Sequence, residues 1–463
     1  MNKKEAENFV YKSYLKAQKF QDYHLKDSKK RRNDLTYELI RKKSITPCVV
    51  VTGSKGKGSV ASMISQILQT ECKVGLMTSP HIVDFCERFR INGGKIEEDE
   101  FIKQIALLQE EIEAIDKEIP QNVCVSPMGI QAYLALNYFQ EKETEFNIFE
   151  CGKGAKNDDV NNIKHDYAII NSIFLEHTRE LGETIEEIAE DKAHVITGEQ
   201  KCVYIGEQVN SVLNVIKKRA SRFKVPIKIY GKDFWAENIS YTKDGMVFDF
   251  ILDQECYSNI KIPLLGDHQA KNCALALAIC IDIIKELSHG QRNQKINFIK
   301  IKESLLKIHW PGRMEIISKN PFTMLDACIN AVSCKNVLKT LHYLNISDAI
   351  LILGIPDDKD YLGVAKAMKN IASSVILTKS QNPHYVFTRR QQERLKEEGI
   401  EACPTDSILE AINLAKVKSN RNMQNRKKKE VLYPEFQEEN KAIIILGTTS
   451  VIAEVKGECY EYL

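Results

Sequence analysis

Eight consecutive residues, Thr52-Gly53-Ser54-Lys55-Gly56-Lys57-Gly58-Ser59, gather backbone freedom, positive charge and hydroxyl groups at one place in the chain. Glycines let successive backbone N–H groups converge on one point, which is what phosphate oxygens need. A helix starting where the loop ends adds the partial positive charge of its dipole. In this arrangement Lys57 would reach a β- or γ-phosphate and the Ser59 hydroxyl would ligate Mg²⁺. The spacing is shorter than the commonest G-x-x-x-x-G-K-[ST] loop, which narrows the family of loops it can belong to.

The elements on either side supply the context such a loop requires. Cys48-Val49-Val50-Val51 is a short continuous apolar run, as in a strand buried on both faces. Behind the loop Val60, Met63, Ile64, Ile67 and Leu68 recur at helical spacing. The alternation continues, with strands expected at 74–78, 148–151, 168–172 and 203–205 and helices near 99–116, 128–141, 183–197 and 207–220. Strands alternating with helices predict an α/β fold, a P-loop ATPase-type doubly wound parallel sheet. Short alternating pieces between 225 and 263, such as Met246-Val247-Phe248-Asp249-Phe250-Ile251, predict a small antiparallel patch, and helical period returns at 269–287. After a polar stretch at 288–297, Trp310-Pro311-Gly312-Arg313 reads as a hinge. Beyond it strands at 323–325, 349–353, 375–377 and 443–446, with helices at 332–343, 361–371, 389–398 and 407–417, predict a smaller Rossmann-like α/β domain. The domains are therefore expected at 1–308, with an N-terminal helical extension, and at 309–463. Residues 418–441, with Arg426-Lys427-Lys428-Lys429, read as a solvated excursion.

Composition removes several classes of function. The chain has 463 residues, 43% of them hydrophobic and 28% charged, which fits folded globular domains and excludes collagen-like or wholly disordered chains. A net charge of +2 gives no global field for nucleic acid or an anionic membrane. The first fifty residues carry 13 Lys and Arg against 6 Asp and Glu, densest at Lys29-Lys30-Arg31-Arg32. Phe9, Tyr11, Tyr14, Leu15, Phe20, Tyr37, Leu39 and Ile40 are threaded through them, as in helices docked by one face and solvated on the other. Neither nucleic acid nor membrane is therefore expected as a partner. Thirteen cysteines without a C-x-x-C pair, and no apolar run of membrane-spanning length, point to a reducing cytoplasm.

Further blocks follow the glycine loop in a definite order. They are Thr78-Ser79-Pro80-His81 with Glu87-Arg88-Phe89-Arg90-Ile91-Asn92-Gly93, then Phe149-Glu150-Cys151-Gly152-Lys153-Gly154, then Leu175-Glu176-His177-Thr178 and Leu181-Gly182-Glu183-Thr184 leading to Lys192-Ala193. Gly266-Asp267-His268-Gln269-Ala270-Lys271-Asn272, Trp310-Pro311-Gly312-Arg313 and Asp358-Lys359-Asp360 complete the series. From the loop to the C-terminus this order resembles the bacterial dihydrofolate synthase/folylpolyglutamate synthase family of the Mur ligase superfamily.

The resemblance implies an ATP-dependent amide ligase, which activates a carboxylate as an acyl phosphate and couples it to an amino acid. Such a reaction must bring carboxylate and γ-phosphate together against their repulsion, so cations have to be concentrated where they meet. By the resemblance Gly53, Ser54, Lys55, Gly56, Lys57, Gly58 and Ser59 hold ATP phosphates. Two Mg²⁺ ions are implied, with Ser59 and Ser79 at one and Glu150 and His177 at the other. Lys192, if carbamylated by CO₂, would join the second ion. Lys57, His177 and Lys192 are the implied catalytic residues. Gln269 and Asn272 would approach the adenine, Arg313 a nucleotide phosphate and Asp326 the ribose hydroxyls. The implied partners are a folate-like carboxylate, dihydropteroate or a reduced folate, and glutamate, on a monomeric enzyme.

Three positions depart from the family's pattern. Its D-G-A-H-N is Asp326-Ala327-Cys328-Ile329-Asn330 here, with isoleucine for histidine. Its G-G-R-L-D-A-T-N is Gly154-Ala155-Lys156-Asn157-Asp158-Asp159-Val160-Asn161, with a lysine that keeps the charge and loses the planar fork. A Phe-Glu pair is Met128-Gly129. Phosphate and metal positions are intact while their surroundings differ, so two other readings stand beside the first. They are a ligase for a non-folate carboxylate or another amino acid, and a nucleotide-binding homologue that has lost ligation.

Overall fold

The computed structural model describes residues 1–20, 32–242, 244–287, 296–420 and 440–457. Most of the polar stretch at 288–297, most of the 418–441 excursion and Lys29-Lys30-Arg31 lie outside the described residues.

Eight strands form the first sheet: β1 Cys48–Thr52, β2 Val74–Met77, β3 Phe89–Ile91, β4 Gly94–Lys95, β5 Phe146–Glu150, β6 Tyr167–Ile170, β7 Cys202–Ile205 and β8 Ile227–Ile229. Their order is β4-β3-β2-β5-β1-β6-β7-β8. From β2 to β8 neighbours run parallel, and β3 and β4 extend one edge antiparallel. The five residues of β1 are all buried, as a central strand covered on both faces must be. Helix Lys57–Leu68 turns Val60, Met63, Ile64, Ile67 and Leu68 into the core, and helix Asp267–Leu287 is apolar along most of its length. Two carboxylates anchor that second helix to the sheet, Asp282 accepting from the Tyr204 hydroxyl and Lys228, and Glu286 from the Tyr167 hydroxyl.

The N-terminal helix Lys3–Gln18 is closed by a capping box between Asn2 and Glu5 and buries Ala6, Phe9, Val10 and Ala17. Lys12 and Lys16 pair with Glu113 and Asp116. This is the docked and solvated helix expected from the threaded aromatics, although Leu15, Phe20 and Tyr37 are exposed.

Strands β9 Phe234–Thr242, β10 Gly245–Leu252 and β11 Glu255–Ile262 form a separate sheet in the order β11-β10-β9. Asp253 and Gln254 both have positive φ, 49° and 71°, the signature of a two-residue hairpin turn that reverses the chain. The third sheet contains β12 Glu315–Lys319, β13 Phe322–Asp326, β14 Ala349–Gly354, β15 Ala372–Leu377, β16 Ala402–Pro404 and β17 Ala442–Gly447, ordered β12-β13-β17-β14-β15-β16. It is parallel except for β12, which lies between the expected hinge at 310–313 and the expected strand at 323–325. β17 inserts between β13 and β14 and is buried along its whole length.

The described chain divides into two compact units. The first holds Met1–Asn238, Phe248–Lys261 and Gln269–Ile308, and the second Ile239–Val247, Ile262–His268 and His309–Leu463. The second unit takes in segments from before residue 309 because they pack there: Tyr241 stacks on Tyr343 at 4.2 Å, and Lys339 pairs with Asp267.

The departure at Gly129 has a packing reason. A Cβ at this residue would lie 2.5 Å from Asp159 Oδ1 and 2.7 Å from Thr36 Cγ2, and those two side chains are joined by a 2.6 Å hydrogen bond. In an open helix, alanine for glycine stabilises by up to ~1 kcal/mol. Here Gly129→Ala is expected to destabilise by about 1–3 kcal/mol through overpacking. A denaturant melt of the variant that shows equal or greater stability would contradict this packing.

Candidate active site

The glycine loop leaves β1 between two close neighbours. Gly53 has φ 145° and Gly56 φ 76°, values that favour glycine. Space requires glycine as well, because a Cβ would stand 2.9 Å from Asn171 Cβ at Gly53 and 2.6 Å from Asn171 Nδ2 at Gly56. Thr52 Oγ1 donates to the Gly154 carbonyl at 2.9 Å, and Ser54 N to the Ser172 carbonyl at 2.9 Å, so both ends of the turn are tied to neighbouring strand ends. Helix Lys57–Leu68 begins at Gly56, and no described side chain caps it. Its first-turn N–H groups are the orphan donors that an anion satisfies. Ser59 lies in that first turn, 2% exposed.

Two lysines meet on one carbonyl. Lys57 Nζ donates to Gly53 O at 3.1 Å, and Lys192 Nζ donates to the same oxygen at 2.9 Å. Lys192 is only 1% exposed and pairs with Glu176 Oε1 at 3.1 Å. Burial pushes the Lys192 amine below the ordinary lysine range, against the pull of Glu176. The preceding residue, Asp191, accepts the Ala155 N–H at 2.9 Å and so fixes the Gly152–Ala155 turn.

Glu150 ends β5, opposite Val51 in register, and its Oε2 accepts the Ser79 N–H at 2.9 Å. Thus Ser79 and Glu150 are brought together. The next residues lead into a buried pair: Arg88 Nε donates to His81 Nδ1 at 2.8 Å, and burial together with the guanidinium holds the His81 imidazole down at about 4. His177 has φ 47°, is 41% exposed at its side chain, and approaches Glu180 at 3.9 Å. Among the described residues, no group of three or more His, Cys, Asp or Glu is arranged to hold a metal ion.

Gln269 and Asn272, both buried, open helix Asp267–Leu287. Asn272 Nδ2 donates to Gln269 Oε1 at 3.1 Å, and Asn272 Oδ1 accepts from Asn171 at 2.9 Å. Asn171 is the residue the sequence reading passed over, counting it only as part of a strand. In the second unit, Arg313 Nη1 donates to the Gly312 carbonyl at 2.9 Å, and Asp326, at the end of β13, accepts the Met314 N–H at 2.9 Å. Asn330 caps helix Ala331–Tyr343, and Asp360 accepts the Ala331 N–H at 2.9 Å, so two motif residues position that helix start.

Comparison with known proteins gives this arrangement its class. Residues 51–280 match the Mur ligase middle domain. Dihydrofolate synthase/folylpolyglutamate synthase of Bacillus subtilis (strain 168) is 31% identical over 330 residues, covering 70% of this chain and 74% of that one. The chain belongs to the dihydrofolate synthase/folylpolyglutamate synthase family, and so to the ATP-dependent ligases. Solved structures agree in fold. Mycobacterium tuberculosis folylpolyglutamate synthase with ADP and AMPPCP has a TM-score of 0.81 at 21% identity, covering 93% of this chain and 96% of its own. A folylpolyglutamate synthase complex with AMPPCP and folate has a TM-score of 0.76 at 22% identity, covering 98% and 99%.

The buried ion pair yields an asymmetric expectation. Removing Glu176 strands the Lys192 charge, so Glu176→Ala should cost about 3 kcal/mol or more, whereas Lys192→Met exchanges the buried cation for an apolar chain and should cost clearly less. Urea unfolding of the two variants checks the order, and equal losses would argue against a buried cation at residue 192.

Proposed function

We propose that the enzyme transfers the γ-phosphate of ATP to the carboxylate of dihydropteroate or a reduced folate and couples the resulting acyl phosphate to the amine of glutamate. The carboxylate oxygen attacks phosphorus and ADP leaves. The amine then attacks the acyl carbon, and inorganic phosphate and a proton leave as the amide forms. The observation that carries this reading is the glycine loop, with its uncapped helix start and Lys57 and Lys192 converging on Gly53 O. Backbone donors would hold the phosphates, and Lys57 would offset charge as the two anions approach.

The oxygen groups at hand fit two hard divalent ions, the Ser59 and Ser79 hydroxyls for one and the Glu150 carboxylate for the other. These residues would hold Mg²⁺, which screens the phosphate charge and polarises the transferred group. His177 and a carbamylated Lys192 belong to the same reading. A carbamate at Lys192 would set an anion beside Glu176, so carbamylation requires that carboxylate to move away. Gln269 and Asn272 would face the adenine, and Arg313 and Asp326 would serve phosphate and ribose. We place the enzyme in the cytoplasm as a monomer acting on small molecules, without nucleic acid or membrane. Among the described residues no helix is long and apolar enough to cross a membrane.

A second reading, a non-folate acid or another amino acid, is favoured by Met128-Gly129, Lys156 and Ile329 standing where the family pattern has other residues. Incubation with ATP, Mg²⁺, glutamate and either dihydropteroate or tetrahydrofolate separates the two. Continued ADP release over many turnovers that requires both the folate and glutamate is expected, and release indifferent to any folate rejects the folate form. Lys57→Ala should lower kcat by about a hundredfold or more while changing folate KM far less, because its charge acts as the anions meet. A variant with full kcat and a raised KM would contradict that role.

A further inference from the structure

Asn171 lies one residue past the end of β6, and its 4% exposed side chain touches both ends of the site just described. Nδ2 donates to the Lys55 carbonyl at 3.1 Å and to Asn272 Oδ1 at 2.9 Å. Asn272 passes the connection to Gln269. The backbone of Asn171 is committed as well, its N–H to Thr52 O at 2.9 Å and its carbonyl to Gln208 Nε2 at 2.9 Å. Glycines wall the side chain on two sides, since a Cβ at Gly53 would stand 2.9 Å from Asn171 Cβ and one at Gly206 would stand 2.6 Å from its Oδ1. One rotamer is therefore held in place.

Loop conformation is cheap to change between two glycine pivots, so something has to select one. The peptide plane between Lys55 and Gly56 carries a carbonyl on one side and an N–H on the other. A bond that holds the carbonyl toward Asn171 aims the Gly56 N–H the opposite way. We propose that Asn171 is a positioning residue: through Lys55 O it sets the peptide plane that presents N–H groups to phosphate, and through Asn272 it ties that plane to the Gln269 end of the nucleotide site. The proposal rests on the reading of the loop as a nucleotide cradle.

Two variants test it. Asn171→Asp keeps the shape and removes the donor. Asn272 and Gln269 can both turn their amides and so keep their bonds to the new carboxylate and to one another, whereas the Lys55 carbonyl has no such option and its bond is lost. Asn171→Leu removes the donor without adding charge. Calorimetric titration of the full chain with ADP and with adenosine is the measurement, beside thermal unfolding without nucleotide. Both variants should bind ADP about tenfold or more weakly than the unaltered chain, while adenosine, which has no phosphate, changes by less than about threefold. ADP binding within threefold in Asn171→Leu, or equal loss of ADP and adenosine in either variant, overturns the proposal. Should Asn171→Leu fail to fold, the ratio of ADP loss to adenosine loss in Asn171→Asp decides. An unaltered chain that binds no ADP overturns the cradle reading and this inference together, whereas normal binding in the variants overturns this inference alone.

Discussion

Two ammonium groups sharing the Gly53 carbonyl is the interaction around which the first unit is arranged. Like charges this close require a reason to stay. Glu176 supplies part of it at Lys192, and the carbonyl supplies the rest. To put Lys57 there, the helix must begin immediately after a left-handed glycine. To put Lys192 there, the acidic helix Ile185–Ala193 must be docked by Asp191 onto the Gly152–Ala155 turn. The sheet order serves the same end, since β1 lies between β5 and β6 and its carboxyl end is tied to the chain beyond each, Thr52 to the Gly154 carbonyl and Ser54 N to the Ser172 carbonyl.

Much of this was legible because it is local. The apolar run of β1, the glycines and the helical period after them are contiguous in sequence, and each restricts the next. The smaller domain was legible for the same reason, through β13, β14, β15 and β17. What was missed depends on distant neighbours. Nothing near Asn171 in the sequence says that residues 53, 55 and 272 surround it. The edge strand β12 was not expected, because its side chains are only partly buried and show no alternation of burial. β3 and β4 are too short to give a period.

The departures also become physical statements. Gly129 is a space requirement imposed by Thr36 and Asp159, so the family's larger residue and this pair exclude one another. Lys156 is exposed, with a backbone N–H that reaches Asp191 at 3.4 Å, so the loss of a guanidinium leaves the turn itself intact. Ile329 sits half-buried just before the helix that Asn330 caps, in a segment whose backbone is already fixed by Asp326 and Asp360. Changes in side-chain chemistry at these places are therefore compatible with an unaltered framework.

The place of β17 carries a consequence for how the second unit comes into being. β13 and β14 are made first, yet both pair with a strand that is synthesised roughly a hundred residues after them. Until residue 447 has left the ribosome, the two halves of that sheet each present an unpaired inner edge, an invitation to mispairing or to chaperones. Closure of the central ladder is a non-local event, and it makes the birth of this unit late and all at once, while the glycine loop and its helix are complete once Leu68 has emerged.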